Sequence, residues 1–137
     1  MVEYPDELIR GISTDKFLSH GHPTKELFSK FEERDDDFGE LSITWYDNEE
    51  AMEITLNQIK DGNIQFKEGV AVICRHKLDI CCKHPLTEEC LHYERKPTED
   101  NKYHGNLLLK KSTPKSKKSE ISFFIAATCI NYIKKND

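Results

Sequence analysis

Seven cysteine and histidine side chains, able to ligate a metal or act as nucleophile or base, crowd into CRHKLDICCKHPLTEECLH: Cys74, Cys81, Cys82, Cys90, His76, His84 and His92. Thiolate and imidazole are the ligands Zn²⁺ prefers. The spacing argues the other way, because zinc sites pair ligands two to four residues apart. Here Cys81 and Cys82 are adjacent, and only Leu91 separates Cys90 from His92. The expectation is free thiols and no cofactor, with a zinc held by Cys81, His84, Cys90 and His92 as the lesser alternative. Thiol catalysis would require a histidine nearby in space and a lowered thiol pKa, and nothing local supplies them.

The second stretch with chemical content is DNKYHGNLLLKK, residues 100–111. His104 opens an apolar run beside Tyr103, Gly105 and Asn106, with Asp100 and Asn101 just before it. A neutral imidazole at a strand end serves as a general base, and a glycine lets a ligand approach the backbone. The structural reading is equally concrete: Asp-Asn is turn chemistry, and His104 fixes the turn by a hydrogen bond. No G-x-S-x-G elbow, phosphate loop, G-x-G-x-x-G or H-E-x-x-H is present.

These residues need elements to hold them. ELSITWYD (40–47) alternates strictly and predicts a strand, and VAVIC (70–74) predicts a central one. LHYER (91–95) and NLLLK (106–110) predict two more, and 64–66 is short and β-like. Asp47 or Asn48 caps a predicted helix that carries Glu49 and Glu50 in its first turn and ends near Asp61-Gly62. Thr24 caps a short helix expected to reach Glu33. Residues 75–90 show weak periodicity, interrupted by Pro85. SEISFFIAATCINYIKK (119–135) predicts the longest helix, with Phe124 and Ile125 in its buried stripe, and it is apolar almost all round.

The chain has 137 residues, 33% charged and 36% hydrophobic, with a formal net charge of −5. That length suits one domain. We expect a single domain over 1–137, with 1–23 as an extended arm and 111–118 as a Lys/Ser-rich connector to the last helix. The acidic balance argues against general nucleic-acid binding. No run approaches a membrane span and no signal-peptide pattern opens the sequence, so the expectation is a cytoplasmic protein with no membrane partner and five reduced cysteines.

The order Arg10-Gly11, Leu27-Phe28, LSITW (41–45), FKEGVAVI (66–73) and DNKYHGNLL (100–108) resembles small uncharacterised bacterial proteins that end in a D-N-P-x-H-A/G motif. The resemblance spans residues 8–109 and departs at Lys102, where a proline is usual. It implies a small α+β domain in an intracellular bacterial setting, attaches no reaction, and adds weight to His104.

Together these readings predict an α+β fold, mainly an antiparallel sheet with a long C-terminal helix packed on it. The expected role is a non-enzymatic accessory or interaction subunit that binds a protein partner, with Tyr103, His104, Asn106, Phe123 and Ile130 as binding residues. The rival is a small hydrolase or nuclease-like enzyme centred on His104 and helped by Asp100, Arg95 or Arg75.

Overall fold

Period-two burial builds most of this molecule. The computed structural model describes residues 3–84 and 89–135. Its elements run β1 (Glu7–Ile12), the hairpin β2 (Leu18–Ser19) and β3 (His22–Pro23), a 3₁₀ turn (Lys25–Phe28), β4 (Glu32–Glu33), β5 (Phe38–Trp45), α1 (Glu49–Leu56), the hairpin β6 (Ile59–Lys60) and β7 (Asn63–Ile64), β8 (Gly69–Cys74), α2 (Arg75–Lys83), β9 (Leu91–Arg95), β10 (His104–Lys110), α3 (Lys115–Ala127) and β11 (Cys129–Ile133).

The main sheet has the order β11-β8-β1-β5-β10-β9, every neighbouring pair antiparallel, and β4 joins the side of β5. One face carries Leu8, Ile12, Leu41, Ile43, Trp45, Ile73, Leu107 and Leu109. It is sealed by Leu27 and Phe28 of the 3₁₀ turn, Leu78 of α2, and Ile121 and Ile125 of α3. The other face carries Ile9, Val70 and Val72 under Met52 of α1. Asn48 caps α1, its side chain accepting from the Ala51 amide.

The predicted class is the observed one: α+β, mostly antiparallel, with the C-terminal helix against the sheet. The boundaries differ in instructive places. Over its described residues the expected 1–23 arm is no arm, since β1 lies in the middle of the sheet with β8 on one side and β5 on the other. The last helix stops at Ala127, and Cys129–Ile133 pairs with β8 through a register shift between Cys129 and Asn131. β-branched and aromatic residues in CINYI favour this strand. Phe124 is half-buried rather than core, and α3 begins at Lys115, inside the expected connector. Thr24 leads only a single 3₁₀ turn, and Asp61-Gly62 turns the β6–β7 hairpin instead of closing α1. Residues 75–83 form a helix; Pro85 lies outside the described residues.

Candidate functional site

His104 opens β10 opposite Thr44 of β5. Its Nδ1 lies 3.0 Å from the Lys96 carbonyl oxygen. A carbonyl only accepts, so Nδ1 carries the proton of this bond. The loop before it is held by a buried polar chain. Asn101 Nδ2 donates to Thr44 Oγ1 (2.9 Å), the Thr44 and Thr55 hydroxyl oxygens are 3.1 Å apart, and Thr55 donates to the Ala51 carbonyl (3.0 Å). Tyr103 is 9% exposed; its hydroxyl donates to Glu50 and accepts from Asn48 Nδ2 at 3.1 Å. Asn106 is fully buried, with Nδ2 on Glu94 (2.9 Å) and Oδ1 without a hydrogen-bond partner among the described residues.

The two arginines proposed to assist His104 do not converge on it. Arg95 pairs with Gly105, so its side chain takes the opposite sheet face from His104. There its guanidinium makes two bonds to Asp47 (2.8 and 2.7 Å) and lies over Tyr4 and Trp45. Asp47 holds Arg95 above the ordinary arginine range. Arg75 donates to the Pro5 carbonyl and to Asp79, and Tyr93 donates to the same Asp79 carboxylate. Burial, reinforced by that bond to Asp79, pushes the Tyr93 phenol up to about 12. Asp100 is exposed on the loop.

The Cys/His segment runs from the end of β8 through α2 to β9. Cys81 and Cys82 lie on α2, where Cys81 contacts the Phe124 carbonyl (3.8 Å). The His84 ring meets Phe124, and the His92 ring stands edge-on to Phe38. Cys90 packs against the core below the start of β9. Among the described residues no group of three or more His, Cys, Asp or Glu is placed to hold a metal ion. Burial pushes the Cys82 and Cys129 thiols up to about 12, away from the thiolate a nucleophile requires.

Two features remain that have the shape of sites. On α3, Phe123 is 62% exposed and, with Pro23, Ala126 and Ala127, lines an apolar groove of 490 Å³ rimmed by Lys25 and Glu26. Ile130, 46% exposed, follows at the start of β11. The second feature is a 440 Å³ cleft that opens where β1 departs from β5, lined by Arg10, Phe66 and His104 among others. Arg10 was not among the residues singled out from sequence as sites. The signal was a charged residue following the apolar pair Leu8-Ile9 within the strand ELIRGI.

No family model matches this chain, and neither do the curated proteins or the solved structures compared with it.

Proposed function

We propose that this chain is a non-enzymatic interaction subunit that docks a protein partner along the outer side of α3. The observation that carries the reading is Phe123, a large apolar side chain left 62% exposed beside a groove lined by Pro23, Ala126 and Ala127. Apolar grooves with a polar rim are where protein partners bury anchoring side chains.

Charge supports one class of partner. The first turn of α3 holds no acidic residue, and Lys115, Lys117 and Lys118 stand there against the helix dipole. Lys25 adds a cation through its bond to Ser119 Oγ (3.2 Å). None of these lysines forms an ion pair among the described residues. A partner segment with an apolar anchor and acidic neighbours satisfies both features.

The test is affinity capture from the native cells with the parent chain and with Phe123→Ser/Ile130→Thr. Both sites are exposed, so the double variant should melt close to the parent, within about 1 kcal/mol. It should lose a partner that the parent retains, by about 2 kcal/mol or more in measured affinity, and added salt should weaken the parent complex. A parent chain recovered only as monomer, or a variant that binds equally well, sinks the reading.

A further inference from the structure

The cleft between β1 and β5 exists because the two strands share only two paired positions. Leu8↔Trp45 and Ile9↔Thr44 are aligned, and then β1 continues along β8 as far as Ile12↔Gly69 without β5. β4 takes up the same side of β5 at Glu32↔Glu40. Between those pairings no strand among the described residues borders this side of β5, whose other side pairs with β10, and a side chain fills the role. Arg10 Nη1 donates to the Ser42 carbonyl (2.6 Å) and Nε donates to the Leu27 carbonyl (2.8 Å).

A guanidinium has five N–H donors, so these two bonds leave three. Arg10 forms no ion pair among the described residues. Arg10 lines the cleft, and among the described residues its guanidinium bonds through Nε and Nη1. Burial pushes the guanidinium down to about 10, opposed by the negative charge of Glu32, and it stays protonated at neutral pH. A desolvated charge with no direct ion pair among the described residues is costly, and an anion seated in the cleft would offset that cost.

The rest of the lining narrows the anion. Arg10, Lys30 and Lys60 against Glu32 and Glu40 leave one net positive charge. The wall is apolar on one side, where the Phe66 ring lies directly over Gly11: a Cβ on that glycine would meet the ring at 2.2 Å. Two carboxylates in the lining disfavour a dianion, whereas a single carboxylate matches both the net charge and the planar fork of an arginine. We propose that this cleft binds a small organic monocarboxylate, its carboxylate on the unused donors of Arg10 and its apolar body against Phe66.

Titrating the full chain with benzoate while recording amide chemical shifts tests this directly, with benzamide as the uncharged analogue and inorganic phosphate as the multivalent anion. Benzoate should give saturable shifts at Gly11, Ser42 and Phe66, with a Kd on the order of 1 mM for so small a probe. Benzamide and phosphate should bind about tenfold more weakly or less. Arg10→Gln should lose the benzoate response. Glu32→Gln, which adds to the net positive charge and leaves Arg10 in place, should tighten it several-fold, so the assignment stays testable even if the Arg10 variant fails to fold. No saturable response to benzoate, an equal response to benzamide, tighter binding of phosphate, or no change in Glu32→Gln would overturn it.

Discussion

Gly105 shows how one residue answers to its neighbours rather than to its own backbone. The indole of Trp45 crosses β10 so that Nε1 donates to the Glu94 carbonyl (3.1 Å). A Cβ on Gly105 would lie 2.2 Å from that nitrogen and 2.4 Å from that carbonyl oxygen. Backbone on one side and a fully buried tryptophan on the other leave little room to yield. Gly105→Ala should therefore destabilise the fold by about 1 to 3 kcal/mol, as overpacking does, read as a lower urea midpoint with an unchanged slope. An Ala variant as stable as the parent would show that β10 shifts freely. The glycine in YHGN thus makes room for Trp45, and the histidine beside it, bonded to Lys96, ties down the loop.

A second residue-scale prediction concerns Cys129, buried at 7% exposure with its thiol pushed from about 9 to about 12 by desolvation. In the unfolded chain the thiol ionises first, so the folded state holds the proton more tightly between those values. The contribution is therefore complete below pH 9 and is lost as pH rises toward 12, at up to about 1.4 kcal/mol per pH unit. Urea melts at pH 8, 9.5 and 10.5 should show falling stability, and Cys129→Ala should flatten part of that slope. An identical slope in the variant would remove Cys129 as a cause.

At the scale of elements, the loop from Lys96 to Tyr103 depends on contacts with β5 and α1 more than on its own turn. Asn101 is 5% exposed and its amide reaches Thr44, which in turn meets Thr55. Asn101→Ala leaves Thr44 short of a donor inside the protein, and should cost about 1 to 3 kcal/mol in a thermal or urea melt. A variant within a few tenths of the parent would mean that water or a rotated hydroxyl replaces the amide. Asp-Asn was legible in the sequence as a turn, but the buried bond was not, because nothing local tells residue 101 that it will face residue 44. The same limit separates elements that were read correctly from those that were not. LSITW alternates because β5 is buried on one face along its whole length, and VAVIC is continuous because β8 is covered on both. ELIRGI and CINYI hide their strands for physical reasons. The first carries Arg10 and Gly11 where the strand turns away from β5, and the second continues an apolar run whose preceding turns suit a helix. At Thr128, with φ −82 and ψ −8, the helix ends without a glycine or proline to announce it. His104, Asp100 and Arg95 are close in sequence, yet strand alternation sends the arginine to the far face.

For the whole molecule, the position of β1 sets a stringent condition on folding. Its six residues pair along their length with β8 and at Leu8 and Ile9 with β5. Leu8 and Ile12 enter the larger core, whereas Ile9 joins the smaller one under α1. Removing β1 divides the sheet into β11-β8 and β5-β10-β9 with β4 on β5, and each part then exposes strand edges and apolar faces that β1 brings together. A two-stranded remnant has little independent stability. Deleting residues 1–12 should therefore abolish the cooperative thermal transition and the dispersed amide spectrum, and should leave an aggregation-prone chain. Native-state hydrogen exchange on the intact protein supplies an independent measure. The amides of β1 and β8 should exchange only at the free energy of global unfolding, about 5 to 15 kcal/mol for a domain of ordinary stability, while those of the β2–β3 and β6–β7 hairpins exchange at far lower cost. A truncated chain that still melts cooperatively, or β1 amides that exchange as fast as those of the hairpins, would return the N-terminal segment to the role of a strap laid over a sheet that is complete without it.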